Sequence, residues 1–267
     1  MKNCFIVSPP FSGARVLAEH LVKQHGYNSG SDNLPSLLDP SQSSYEDKWI
    51  DCLNMLMCSF MPAFSGPNRY SWATPMPSEF SVDVDTIRES TYFDRVMQML
   101  SSTPYVIKDP NASRLLCWWL AVTQIDFTKP GCPELIFLVR HPNEFVQSMA
   151  DGARRQLIPT VLLNTDVGLH LWFNYTVRMH IMYESMPPSI KEHSWWFLMP
   201  QMCEPETGVR IQQCLGLKPS TWPFNKTRIR HVVDPVTSRI PCKACRQGWQ
   251  AMEQHAMDTK YRMAVVS

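Results

Sequence analysis

Short apolar runs alternate with helical patterns along the chain, and this alternation predicts the fold class. Apolar and β-branched residues run together, as in buried strands, at residues 4–7, 105–107, 135–139 and 195–199. Apolar residues recur at helical spacing at residues 13–25, 45–60, 84–100, 112–123, 142–155, 161–186 and 205–215. Strands that alternate with helices are typical of an α/β domain, so we expect a central parallel β-sheet flanked by helices.

Three segments carry no such pattern. Residues 28–44 are polar and are predicted to form a loop. Residues 61–83 are rich in proline and are predicted to form an irregular surface insertion. Residues 218–267 are interrupted by prolines, and no element is assigned there. Because no internal repeat divides the 267 residues, we expect one domain over residues 1–267.

Composition narrows the class of protein further. The 25 basic and 24 acidic residues nearly cancel, at a net charge of +1, which is not typical of a nucleic-acid-binding protein. No apolar run reaches the roughly 20 residues of a membrane span, and the apolar start is too short for a signal peptide. The nine cysteines indicate reduced thiols, so we expect a cytoplasmic protein with no membrane or nucleic-acid partner.

The turn between the first strand and the first helix is a candidate anion site. Backbone N–H groups and the positive end of the helix dipole meet at residues 8–15. The turn departs from the Mg²⁺-dependent kinase pattern G-x-x-x-x-G-K-[ST], because Gly13 matches while Ala14 and Arg15 replace the lysine and the hydroxyl residue. A purely structural turn is the alternative.

The segment FIVSPPFSGARVLA, residues 5–18, resembles the 5′-phosphosulfate loop of sulfotransferases that use 3′-phosphoadenosine 5′-phosphosulfate (PAPS). The resemblance implies a P-loop NTPase-like sulfotransferase fold, with the donor held by Ser12, Gly13, Ala14 and Arg15. The sequence departs from the family at Phe11, where an arginine or lysine is usual, and again at Ala14 and Arg15. A cation elsewhere in the chain must then supply the charge that the family places at position 11.

The segment LVRHPNEFVQS, residues 138–148, resembles the family's 3′-phosphate motif, in which a serine follows a strand-end arginine by eight residues. If His141 caps the next helix, Ser148 lies about two turns along, on the same face as the cap. Arg140 and Ser148 would then hold one phosphate from two sides. The alternative is a solvated arginine and a surface serine.

The triplet Lys108-Asp109-Pro110 lies in a segment that resembles the K-D-P-R segment of bacterial sulfotransferases, with Asn111 in place of the arginine. We predict that Lys108, at a strand end, is the main catalytic cation and that Arg15 supplies a second positive charge. A local salt bridge of Lys108 with Asp109 is the alternative. Residues 169–175 resemble the family's Leu-Trp helix, which we assign to packing.

A candidate general base comes from residues 44–54, which resemble a family segment whose glutamate faces the active site. Sulfuryl transfer needs a base for the acceptor proton, and we assign that role to Glu46, with Asp47 second. The alternative is that both are carboxylates at a helix N-terminus, where the dipole favours them. Glu19 and His20, in the first helix, are predicted to be surface residues.

Two features of the last fifty residues are less specific. Arg230 lies in a short basic segment that resembles the one closing over the nucleotide's 3′-phosphate in this family. Cys242 and Cys245 form a CxxC pair between His231 and His255, and zinc binding is the alternative there. A second close pair of ligands is missing, so we expect no metal and leave the role of the two thiols open.

The resemblance covers residues 4–175, with its motifs in the family's order. It implies in-line transfer of a sulfuryl group from PAPS to a hydroxyl or amine of a small molecule of specialised metabolism, leaving adenosine 3′,5′-bisphosphate. One alternative is a catalytically silent, nucleotide-binding member of the same fold, which Phe11 favours. A small-molecule P-loop kinase is another, and the missing lysine argues against it. The motifs do not identify the acceptor or the oligomeric state.

Overall fold

The computed structural model describes residues 1–35, 43–59, 83–102, 104–155, 163–224, 240 and 242–266. The strands in these ranges are β1 (Cys4–Val7), β2 (Asn33–Pro35), β3 (Ser43–Asp47), β4 (Val106–Lys108), β5 (Glu134–Val139) and β6 (Ser194–Leu198). The first helices are α1 (Ala14–His25), α2 (Lys48–Ser59), α3 (Val84–Arg88), α4 (Thr91–Leu100), α5 (Ala112–Thr123) and α6 (Pro142–Arg154). They are followed by α7 (Thr165–Ser185), α8 (Pro188–Lys191), α9 (Met199–Met202), α10 (Pro205–Cys214) and α11 (Lys243–Val266).

Four strands form the central sheet, in the order β4-β1-β5-β6, and every neighbouring pair is parallel. The register sets Ile6 of β1 opposite Lys108 of β4. On the other side of β1, Val7 pairs with Phe137 of β5. The carboxyl ends of β4, β1 and β5 therefore lie side by side, with β1 in the middle.

The sheet separates two apolar cores. Alternate residues of β1 enter opposite cores, Phe5 and Val7 on one face and Cys4 and Ile6 on the other, as the period of a strand requires. Helices α2 to α7 and α11 cover the first face, and α1, α9 and α10 cover the second. Strands β1, β4 and β5 are buried along their whole length because helices cover both faces. The fold is α/β, a central parallel sheet flanked by helices, as the sequence predicts.

Local signals place several helix ends where the sequence predicts them. His141 caps α6 through Nδ1, which accepts a hydrogen bond from the amide of Asn143 at 3.3 Å, and Pro142 takes the first helical position. Helix α1 ends at Gly26, whose φ of 68° is a left-handed conformation that glycine adopts without steric cost.

The predicted loop and helix boundaries differ in two places. Residues 33–35 and 43–47 form a small antiparallel pair, β2 and β3, so Glu46 lies in a strand and not at a helix start. The helix predicted over residues 84–100 is split into α3 and α4. The hydroxyl of Ser90 causes the break, because it accepts a hydrogen bond from the Phe93 amide at 3.2 Å and caps α4.

The C-terminal region contains an element that the sequence pattern does not reveal. Helix α11 packs against α7 and β6 over residues for which no element was predicted. Nearly all of the expected insertion at residues 61–83 lies outside the described residues. Within the described ranges, no helix combines the length and apolar character that crossing a membrane requires.

Candidate active site

The turn that joins β1 to α1 has a left-handed backbone at two residues, Phe11 and Gly13. Gly13 has a φ of 78°, and a Cβ built there would lie 2.3 Å from Cε of Met199 and 3.4 Å from Cε1 of Phe224. Phe11 is also left-handed, with a φ of 59°. The Oγ of Ser12 is buried and has no hydrogen-bond partner among the described residues. A buried hydroxyl with no partner beside a helix N-terminus is well placed to bind a ligand oxygen.

Arg140 lies directly after β5 and joins this turn to helix α6. Its Nη1 donates to the carbonyl of Phe11 at 2.8 Å and to Oγ of Ser148 at 2.6 Å. Its Nε donates to Oε2 of Glu144 at 3.2 Å. The Arg140 and Glu144 side chains are 7% and 0% exposed, so this is a buried ion pair. Burial lowers the pKa of Arg140, and the Glu144 carboxylate opposes that shift.

Two aromatic residues support the backbone around Arg140. The indole Nε1 of Trp172, a fully buried residue of α7, donates to the carbonyl of Arg140 at 2.7 Å. The ring of Trp249 in α11 meets the His141 ring edge-on, with centroids 5.0 Å apart. Burial lowers the pKa of His141 to about 4, so the neutral ring can accept the cap hydrogen bond at Nδ1. The sequence predicts a packing role for the Leu-Trp helix, and Trp172 of this helix also holds the main chain of Arg140 in position.

On the opposite side of the turn, Lys108 and Glu46 form an ion pair. The Nζ of Lys108 donates to Oε1 of Glu46 and also lies 3.5 Å from the carbonyl of Ser44. The side chains are 10% and 15% exposed. The residues proposed as catalytic cation and general base are therefore in direct contact. Sequence alone does not indicate this contact, because the two residues are 62 positions apart.

Asp109 and Asp47, the neighbouring carboxylates, have structural roles. Oδ1 of Asp109 accepts the amide of Asn111 at 2.6 Å, and burial raises the pKa of Asp109 to about 7, with a further rise from nearby Glu46. Oδ1 of Asp47 accepts the amide of Trp49 at 2.8 Å at the start of α2. Its other oxygen accepts the amide of Asp32 at 3.3 Å. These bonds leave Glu46 as the better placed of the two predicted base candidates.

The order of the strands explains why Lys108 and Arg140 lie at the same edge of the sheet. The connection from β1 leads to β4 on one side, and the connection from β5 leads to β6 on the other. A crevice at the carboxyl ends of two such neighbouring strands is where open α/β sheets bind ligands. Lys108 ends one neighbour of β1 and Arg140 directly follows the other, so the two cations flank the turn at residues 8–13.

The remaining predicted residues fall into three groups. Ala14 and Arg15 form the first turn of α1, where Ala14 is buried and Arg15 is half-buried. Arg230 and His231 lie outside the described residues. His20, predicted to be a surface residue, is 4% exposed, because it packs edge-on against Trp222 with ring centroids 5.4 Å apart.

His255 is too far from the CxxC pair to share a zinc ion with it. Cys245 and His255 both lie in α11, ten residues apart, so they are separated by about 15 Å along the helix. Cys242 instead accepts the amide of Cys245 at 3.4 Å in the first turn of α11, and Sγ of Cys245 lies 3.8 Å from the carbonyl of Leu169.

Two solved structures are similar to this chain over nearly its whole length. The sulfotransferase domain from the curacin biosynthetic pathway matches over 95% of this chain and 97% of its own, with a TM-score of 0.50 and 15% sequence identity. The sulfotransferase domain from the Synechococcus PCC 7002 olefin synthase matches over 96% of each chain, with a TM-score of 0.48 and 15% identity. No protein-family model matches the sequence, and no curated protein matches it.

The chain therefore has an α/β fold of the sulfotransferase type. The likeness to the curacin-pathway domain extends over nearly the whole chain, but 15% identity carries information on the fold alone.

Proposed function

We propose that this protein is a sulfotransferase that moves a sulfuryl group from PAPS to a hydroxyl or amine of a small molecule. The observation that carries the proposal is the position of Arg140, which contacts Ser148 and the backbone of the turn at Phe11. The guanidinium of Arg140 thus lies between the turn after β1 and helix α6. This position fits PAPS, which carries phosphate groups on the 3′ and 5′ carbons of the same ribose.

The described residues fit the donor at both ends. At the turn, the Oγ of Ser12, which has no partner in the described part of the chain, and the N-terminal amides of α1 would hold the 5′-phosphosulfate. At α6, Arg140 and Ser148 would hold the 3′-phosphate, with charge-assisted hydrogen bonds from the guanidinium. Glu144 keeps Arg140 oriented while the phosphate binds.

The transfer step uses Lys108 and Glu46, on the other side of the turn after β1. The acceptor oxygen or nitrogen attacks sulfur, and its bond to sulfur forms as the bond from sulfur to the 5′-phosphate oxygen breaks. Glu46 takes the acceptor proton, and Lys108 stabilises the negative charge that grows on the departing phosphate oxygen. Because Phe11 offers no charge at its position, Lys108 is the main cation in this step and Arg15 assists it.

The Lys108–Glu46 contact also favours a second candidate function. In a catalytically silent nucleotide-binding protein of this fold, the two side chains would simply neutralise each other, and Phe11 would need no substitute cation. The two candidates agree on nucleotide binding and differ on transfer, so both activities must be measured.

Binding should be measured first, by calorimetry with adenosine 3′,5′-bisphosphate and with adenosine 5′-monophosphate, which lacks the 3′-phosphate. We expect the bisphosphate to bind at least about tenfold more tightly, since the Arg140 site contacts only the 3′-phosphate. Equal binding of the two nucleotides, or no binding of either, would contradict the proposed donor site.

Transfer is then measured with PAPS labelled at sulfur and a panel of phenols, alcohols and amines. We expect labelled product without added Mg²⁺, since neither Lys108 nor Glu46 requires a metal for its role. Tight bisphosphate binding with no transfer to any acceptor would support the silent alternative. Hydrolysis of ATP that depends on Mg²⁺ would support the kinase alternative.

A further inference from the structure

Three side chains with metal-binding atoms converge where α7 packs against α11, away from the turn and the sheet edge described above. Nδ1 of His180 lies 2.8 Å from Nε2 of His255. Oε1 of Glu184 lies 4.0 Å from the first nitrogen and 3.6 Å from the second. One ligand atom from each of the three residues lies within 4.8 Å of the other two.

Packing holds one of the three ligands, His255, in place. His180 and Glu184 are four residues apart on α7, so they share one face of that helix. The His255 ring stacks on Trp196 with centroids 4.7 Å apart, and it meets Tyr183 edge-on at 4.8 Å. His255 is 10% exposed, whereas His180 is 33% and Glu184 is 53% exposed. The cluster is therefore rigid on its inner side and open to solvent on its outer side.

We propose that His180, Glu184 and His255 form a binding site for Zn²⁺, with a water molecule as the fourth ligand. Two imidazole nitrogens and one carboxylate oxygen are a ligand set that zinc accepts together with an open position. Ligand atoms about 2.0–2.1 Å from a tetrahedral zinc ion lie about 3.3 Å from one another. The three separations in the structure bracket that value, and the exposed Glu184 side chain is free to close the longer ones.

Zinc binding requires one hydrogen of the histidine pair to change position. In the metal-free protein one of the two facing nitrogens must carry the hydrogen that joins them. When zinc binds, that hydrogen moves to the outer nitrogen of the same ring, and both facing nitrogens present lone pairs. Glu184 must exchange its contact with Lys191, whose Nζ is 3.7 Å from Oε2, for the metal. That exposed contact contributes little free energy, so the exchange costs little.

A bound ion would tie α11 to α7, the helix that holds Arg140 through Trp172. The site does not depend on the proposed function, and its test needs no substrate. Purified protein, stripped with a chelator, is titrated with Co²⁺ and with Zn²⁺. We expect one equivalent of Co²⁺ to bind with the visible absorption of a four-coordinate ion, and Zn²⁺ to displace it and raise the melting temperature.

Matched variants identify the ligands. His180→Ala and Glu184→Gln should each weaken binding by at least about tenfold. His170→Ala, which removes an exposed histidine from the same helix, should change nothing. The double variant Cys242→Ser, Cys245→Ser should also bind normally, because those thiols are not part of the site. Failure of the wild-type protein to bind one equivalent would overturn the proposal. So would undiminished binding by His180→Ala, or loss of binding in the cysteine variant.

Discussion

Nη1 of Arg140 donates to the main-chain carbonyl of Phe11 at 2.8 Å, across 129 positions of sequence. The same nitrogen contacts Ser148, so the turn after β1 and the first two turns of α6 share one guanidinium. The two expected phosphate sites are therefore parts of one connected structure.

Ser148→Ala tests the 3′-phosphate end of this structure. The substitution removes one hydroxyl and leaves Arg140 charged, so we expect bisphosphate affinity to fall about tenfold, or ~1.4 kcal/mol, in calorimetry. Affinity for adenosine 5′-monophosphate should not change. Ser185→Ala is the matched control, because its hydroxyl only donates to the carbonyl of Met182 at the end of α7. An equal loss of affinity for both nucleotides would show that Ser148 does not contact the 3′-phosphate.

Lys108→Ala and Glu46→Gln test the transfer step. We expect kcat to fall about 10²- to 10³-fold without the cation, because the departing oxygen loses its counter-charge. Without the base, kcat/KM should fall by at least about tenfold. The double variant should lose less than the product of the two effects, since the residues act as a unit.

The control for this pair is Lys48→Ala, which removes an exposed lysine at the start of α2. Its initial rates of labelled-sulfate transfer should match those of the wild type. If Lys108→Ala kept turnover within about threefold of the wild type, a factor far below that of a lost charge-stabilising group, another cation would have to be sought.

Gly13→Ala and Gly26→Ala separate backbone strain from ligand binding. Both glycines are left-handed, with φ of 78° and 68°, so each substitution should cost about 1–2 kcal/mol of stability. At Gly26 an added methyl meets nothing within 4 Å, whereas at Gly13 it meets Met199. We expect similar losses of unfolding free energy in urea, because the Met199 side chain can move, but loss of bisphosphate binding only in Gly13→Ala. Normal binding by Gly13→Ala would argue against an anion at this turn.

Asp109→Asn tests the pH dependence of stability. The pKa of Asp109 is about 7 in the folded protein, against about 3.9 in an unfolded chain, so the folded state binds more protons between these values. Wild-type stability should therefore fall as pH rises from about 4 to about 7, by at most about 1.4 kcal/mol per pH unit from this group. Asparagine still accepts the Asn111 amide and does not titrate, so the variant should show a flatter profile.

The profile is measured as the free energy of unfolding in urea across this pH range. Asp126→Asn is the control, because hydrogen bonds to Thr128 lower the pKa of Asp126, and its titration lies below the range. A slope in Asp109→Asn equal to that of the wild type would mean that Asp109 stays ionised in the folded protein.

Elements with strong local signals could be predicted from the sequence. Residues 135–139 of β5 are an unbroken apolar run, and α6 is capped by a histidine and starts with a proline, so both elements are recognisable within a dozen residues. The β2–β3 pair is short and polar, and its pairing depends on contacts between separate segments, which no local pattern encodes. His20 lies on a helix of mixed polarity, and its burial comes from Trp222, two hundred residues away.

The sequence by itself determined the chain order of the four central strands, the turn after β1, and the positions of Lys108 and Arg140 at strand ends, because these depend on neighbouring residues. Only the tertiary structure decided that Lys108 contacts Glu46, that Arg140 contacts Phe11, and that His255 faces His180. Each of these contacts joins residues at least 62 positions apart. They exist because strand order and helix packing bring distant segments together, and those arrangements follow from burial of the whole apolar core.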